Sequence, residues 1–125
     1  MNYLIATAIT AFLALPQINY PPQSPIVFEE QAVQVKKLEL PEVLERIAEC
    51  ESNGNHFDED GNVLLGDINR HDIGKFQINA LYWQKHAQSL GFDIYTEEGN
   101  EAFALELYNK YGTKPWIWSK KCWNK

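Results

Sequence analysis

The stretch Leu40-Pro41-Glu42-Val43-Leu44-Glu45-Arg46-Ile47-Ala48-Glu49-Cys50-Glu51-Ser52-Asn53-Gly54 decides how this chain is read. Its period is helical. Glu42, Glu45, Arg46 and Glu49 follow i, i+3, i+4, i+7 and make a solvated face, while Leu44, Ile47 and Ala48 make a buried stripe. Pro41 suits the first helical position and Gly54 a left-handed C-terminal one, so the spacing predicts a helix from near Leu40 to Gly54. Glu51 continues the buried stripe. A carboxylate there is costly when ionised, since the stripe offers no cation and the helix C-terminus carries the negative end of the macrodipole. A carboxyl kept protonated near neutral pH can protonate a leaving oxygen, which makes Glu51 a candidate catalytic acid. The alternative is a Glu in a frayed last turn that points to solvent.

On the N-terminal side, Leu4 to Leu15 forms an apolar run of about 12 residues, in the range of a signal-peptide core and too short for a bilayer. Residues 1–20 are therefore expected to be a signal peptide or N-terminal anchor. The n-region lacks Lys and Arg, so a retained surface anchor stays open. Residues 21–36, rich in Pro and Gln without helical period, read as a flexible linker to a domain at 37–125. A secreted or cell-envelope location follows, with no stable membrane span.

The whole chain has 125 residues, 45% of them hydrophobic and 13% aromatic, enough for one domain with a core. Its net charge of -6 removes the usual electrostatic basis for binding nucleic acid or anionic lipid. A neutral or amphoteric partner and a monomeric state are expected. The only two cysteines, Cys50 and Cys122, bracket most of the domain, which in an oxidising compartment favours one disulfide over two thiols. Closing a loop of about 70 residues contributes up to ~4 kcal/mol in the chain-entropy picture. No Cys/His metal spacing is present, and no cofactor is required.

On the C-terminal side, Asp60-Gly61-Asn62 ahead of Val63-Leu64-Leu65 suggests a small β-hairpin. Asp58, Asp60 and Asn62 look superficially like a calcium loop, but the glycine is misplaced and Asn69 stands where a bidentate Glu is needed. A second helix is expected after Asn79 as N-cap, with Trp83, Ala87 and Leu90 on one face, ending at Gly91. A third is expected after Asn100, with Phe103, Ala104, Leu107, Tyr108 and Tyr111 at helical spacing until Gly112. His56, His71 and His86 form no ligand pattern and read as surface residues.

Three segments carry a family resemblance. Ala48-Glu49-Cys50-Glu51-Ser52-Asn53-Gly54-Asn55 resembles the Cys-Glu-Ser-Gly-Gly-Asn segment of resuscitation-promoting factors, whose cysteine pairs with one that follows a Trp-rich tail. Trp116-Ile117-Trp118-Ser119-Lys120-Lys121-Cys122 supplies that counterpart. Asp72-Ile73-Gly74-Lys75-Phe76-Gln77-Ile78-Asn79 is similar to the Gly-Leu-Phe/Met-Gln-Ile-Asn signature of soluble-type lytic transglycosylases and lysozymes. The resemblance spans roughly Leu40 to Trp123. Lys75 replaces the usual apolar residue after Gly74, and Asn53 replaces the first glycine after the Glu-Ser pair.

The resemblance implies a mainly α, α+β lysozyme-like domain with a short hairpin flanking a substrate groove. It implies cleavage of the β-1,4 bond between N-acetylmuramic acid and N-acetylglucosamine in peptidoglycan glycan strands. Glu51 would act as acid and then as base on the muramyl C6 hydroxyl, giving 1,6-anhydro products as lytic transglycosylases do. In a lysozyme-type muramidase, Asp72 would be the second carboxylate, although it is equally suited to capping a turn. A third reading is a non-catalytic cell-wall glycan-binding module. Gln77 and Asn79 are substrate-binding candidates by resemblance, with Asn79 also suited to capping. Ser52 could bind substrate or Glu51, or close its helix, and Tyr108 could reach Glu51 or belong to the core. Trp83, Trp116, Trp118 and Trp123 could stack on sugars or surround the disulfide.

Overall fold

Helix α1 (Glu42–Ser52) is the first element of the computed structural model, which describes Pro16, Ile18, Asn19 and residues 37–125. The rest of the expected leader and linker lies outside the described residues. The chain divides into two units, Met1–Gln34 and Val35–Lys125.

Pro41 is the N-cap of α1 rather than its first helical residue, because its ψ of 142° is extended. Its carbonyl still starts the helix by accepting from Leu44 N at 2.8 Å. Asn53, left-handed at φ 52°, ends it. Leu44, Ile47 and Ala48 are buried and Glu42, Glu45 and Glu49 exposed, as the period requires. Glu51 is half-buried between these faces.

A two-stranded hairpin follows, β1 (Asp72–Ile73) antiparallel to β2 (Ile78–Asn79), with Asp72 opposite Asn79 and Ile73 opposite Ile78. It lies further along the chain than the turn at Asp60-Gly61-Asn62 suggests. That earlier turn makes only an isolated bridge, Phe57 to Val63, and Leu65 bridges onto Ile73. Asp58 Oδ1 accepts from Asp60 N and Asn62 N, so this carboxylate caps the turn.

Helix α2 (Ala80–Ser89) starts after Asn79, whose side chain accepts from Tyr82 N, as expected. Leu90 is 45% exposed, so the apolar face ends at Ala87. Helix α3 (Glu97–Tyr111) starts earlier than expected. Thr96 caps it by accepting from Gly99 N, and Glu97 and Glu98 suit the positive end of the dipole. Asn100 is an interior residue of this helix, fully buried. A 3-10 helix (Lys114–Ser119) and α4 (Lys120–Trp123) complete the chain. About half of residues 37–125 are helical, so the architecture is mainly α with a short hairpin.

Leu44 and Ile47 of α1, Phe103 and Leu107 of α3, Phe76, Ile94, Trp116 and Trp123 form one core. Each such side chain contributes about 1.5–3 kcal/mol of burial. The tail returns against α1, as expected: Cys50 and Cys122 form a disulfide with Cα atoms 6.0 Å apart, and Arg46 Nε donates to Trp123 O. No helix of the described residues is long and apolar enough to cross a membrane.

Candidate active site

Three consecutive residues fasten the end of α1 to different neighbours. Cys50 binds Cys122 of α4 covalently, and Ser52 Oγ donates to Lys75 O at 2.7 Å. Between them, Glu51 Oε1 accepts from Ser119 Oγ at 2.5 Å. The carboxyl is thereby held with little rotational freedom at the end of a helix fixed on both sides.

Burial pushes the Glu51 carboxyl above its ordinary range, the Ser119 hydrogen bond offsets part of this, and the charge of Asp72 adds to the rise. Ser119 can serve both protonation states. Its oxygen accepts from Trp123 Nε1 at 3.1 Å, and its single proton is within reach of Glu51 Oε1 or of Trp116 O at 3.1 Å. With Glu51 ionised the proton points to the carboxylate. With Glu51 protonated it turns to Trp116 O, and Ser119 Oγ accepts from the carboxyl.

Two cavities meet at Glu51 and Gln77. One, of about 380 Å³, adds Asp72, Asn79, Tyr82 and Trp118; the other, of about 390 Å³, adds Asn55, Asp58, Glu59 and Asp67. Together they make a groove passing over Glu51 on both sides. A linear ligand laid along it would pass over the carboxyl.

The strip from Gly74 to Gln77, which brings Gln77 to the groove, is clamped from three directions. Asn100 Oδ1 accepts from Phe76 N, and its Nδ2 donates to Ile73 O and Ile94 O. Trp116 Nε1 donates to Phe76 O at 2.9 Å. His56, which is buried rather than on the surface, accepts at Nδ1 from Lys75 N and donates from Nε2 to Tyr95 O. These two bonds specify a neutral imidazole. Gly74 has φ +69°, and a Cβ there would collide with the His56 ring, so the close approach this glycine permits is to an imidazole.

The other expected site residues differ in how free they are. Gln77 has φ 47°, a left-handed backbone unusual for its type, held as its N and Nε2 both donate to Gly74 O. Its amide oxygen and second amide proton remain for a ligand. Asn79 lines the groove but is engaged at both ends, donating to Asp72 Oδ1 at 2.7 Å and capping α2. Asp72 accepts from Asn79 and Asn69 and faces the Glu51 cavity, so its partners are side-chain amides rather than turn amides. The Ser52 hydroxyl is spent on Lys75 O and Ala48 O, and not on Glu51. Tyr108 is half-buried against the core, lines neither cavity, and its side chain makes no hydrogen bond among the described residues.

Sequence reasoning missed Ser119 and Tyr82. The signal for Ser119 was the cysteine pair: Cys50 adjoins Glu51 and Cys122 follows Ser119 by one helical turn, so a disulfide brings the two together. Lys75 is turned from the groove and paired with Glu97 at 3.4 Å and Glu101 at 2.5 Å. Trp116 and Trp123 are core residues; Trp118 is 97% exposed at the groove rim. No set of three or more His, Cys, Asp or Glu arranged to hold a metal occurs among the described residues. Comparison with protein-family models, curated proteins and solved structures yields no match to this chain.

Proposed function

We propose that this chain is an exported, lysozyme-like enzyme that cleaves the β-1,4 bond between N-acetylmuramic acid and N-acetylglucosamine in peptidoglycan, as a lytic transglycosylase. The observation that carries the reading is one half-buried carboxyl, raised above its ordinary range, where two halves of a groove meet. The motif resemblance supplies the substrate class. Protonated Glu51 gives its proton to the glycosidic oxygen as the bond from that oxygen to the muramyl C1 breaks. The resulting carboxylate then takes the proton of the muramyl C6 hydroxyl as its oxygen attacks C1, closing the 1,6-anhydro ring. No water is consumed, and Glu51 is restored to its acid form.

A second reading, hydrolysis by a muramidase, is favoured by Asp72. It faces the same cavity and is close enough for its charge to act on Glu51. Its Oδ1 accepts from two side-chain amides, which fixes the carboxylate, and its Oδ2 has no hydrogen-bond partner among the described residues. Mass analysis of muropeptides released from purified peptidoglycan separates the two. Anhydro ends support the transglycosylase, and reducing ends that have gained water support the muramidase. Binding without any product would leave a wall-binding module.

A further inference from the structure

The rim beyond Trp118 is built differently from the groove around Glu51. Trp118 lines the Glu51 cavity and also a separate cleft of about 620 Å³ with Ile117, Lys120, Lys121 and Asn124. An indole is large and apolar, and it is normally turned inward or covered. Packing does not need this one, since Trp116 and Trp123 of the same tail fill the core. Its face is free on a strip continuous with the groove.

Charge sets this strip apart. All seventeen carboxylates of the sequence precede residue 107, whereas residues 107–125 carry five lysines and no Asp or Glu. Lys120 and Lys121 are exposed and enter no ion pair among the described residues, unlike Lys75 with its two glutamates. At the opposite end of the groove the wall holds Asp58, Glu59 and Asp67. A polymer in the groove would pass from an acidic wall, over Glu51, to an aromatic and cationic shelf.

We propose that Trp118, Lys120 and Lys121 form an accessory subsite for a sugar ring bearing a carboxylate, on the same strand that is cleaved at Glu51. The strand's identity rests on the function proposed above. The indole stacks on the apolar face of the pyranose, and the two ammonium groups meet the carboxylate as point charges on flexible stems. Because these charges face water, the attraction weakens as salt rises. The acidic wall repels the same carboxylates, so the attraction is confined to the Trp118 end of the groove.

The test uses Glu51→Gln protein, which prevents turnover, and titration calorimetry at low salt. The probes are alternating N-acetylglucosamine and N-acetylmuramic acid oligomers with free lactyl carboxylates, neutral N-acetylglucosamine oligomers of equal length, and phosphatidylglycerol-containing vesicles. The acidic oligomer binds about fivefold tighter than the neutral one, and the gap closes in Lys120→Gln/Lys121→Gln protein and at high salt. Adding Trp118→Ala weakens both oligomers. A gap that survives the lysine changes, or vesicle binding as tight as glycan binding, overturns the subsite. If the gap behaves as stated but the parent chain cleaves no glycan, the enzymatic reading fails and the subsite stands. Cleavage with no lysine-dependent gap has the reverse meaning, and absence of both oligomer binding and cleavage overturns both.

Discussion

Ser119 lies 68 residues from Glu51 in sequence and donates its hydroxyl to the Glu51 carboxylate. This bond favours the ionised form, against the larger effect of burial. Ser119→Ala removes the opposing influence, so the Glu51 pKa rises further. On the function proposed above, activity requires the protonated acid and falls as pH rises through that pKa. The alkaline limb of kcat/KM therefore moves to higher pH, with kcat lowered by about tenfold as the carboxyl loses orientation. A Ser119 that served only to pack the tail would leave the limb in place.

Asp72→Asn acts in the opposite direction. The charge of Asp72 raises the Glu51 pKa, so its loss moves the same limb to lower pH. With Glu51 alone serving as acid and base, the rate stays within about tenfold of the parent's at its own optimum. A loss of about a thousandfold or more would identify Asp72 as the second carboxylate of a hydrolase. Rate profiles of the two variants, measured together, show whether the limb belongs to Glu51.

The disulfide joins residues 72 apart and holds against α1 the tail that carries Ser119. Cys50→Ala/Cys122→Ala is expected to lose about 2–4 kcal/mol in denaturant unfolding. Activity should fall at temperatures where the variant is still folded, as the loosened tail frees the Glu51 carboxyl. Equal stability in the reduced and oxidised parent would contradict this.

Asn100→Ala tests how the strip that brings Gln77 to the groove is held. It strips partners from Phe76 N, Ile73 O and Ile94 O, all at a fully buried site. Each orphaned group costs about 1–3 kcal/mol, so a loss of at least ~3 kcal/mol is expected in equilibrium unfolding. A near-neutral change would mean that the strip from Gly74 to Gln77 is held by other means.

Features fixed by local pattern were legible in the sequence. The faces of α1, the cap at Asn79 and the end of α3 at Gly112 each follow from spacing or backbone preference within a few residues, and the cysteine pair follows from there being only two cysteines in the sequence. The features that escaped depend on distant partners. Thr96 and Asn100 are both cap-forming types, and only packing reveals that Thr96 caps α3 while Asn100 lies inside it, clamping the loop before β2. His56 has no local sign of burial, because the groups that satisfy it belong to Lys75 and Tyr95. Ser52 and Ser119 are equally plausible companions for Glu51 by type. The geometry of the tail chooses the one that lies far off in sequence.

Glu51→Gln also has a stability signature with a definite sign. A folded-state pKa raised above the unfolded value costs nothing at pH below both, and the cost grows as pH rises through the interval between them. The variant therefore melts at the same temperature as the parent in acid and at a higher one above the raised pKa. Identical melting curves across that range would place the carboxyl in solvent.

The most direct measurement is glycan cleavage by Glu51→Gln protein on purified peptidoglycan, followed by muropeptide release against time. The expected rate is lower than the parent's by a factor on the order of a hundred to ten thousand, with strand binding retained. Release at the parent's rate would contradict the assignment of Glu51 as the acid.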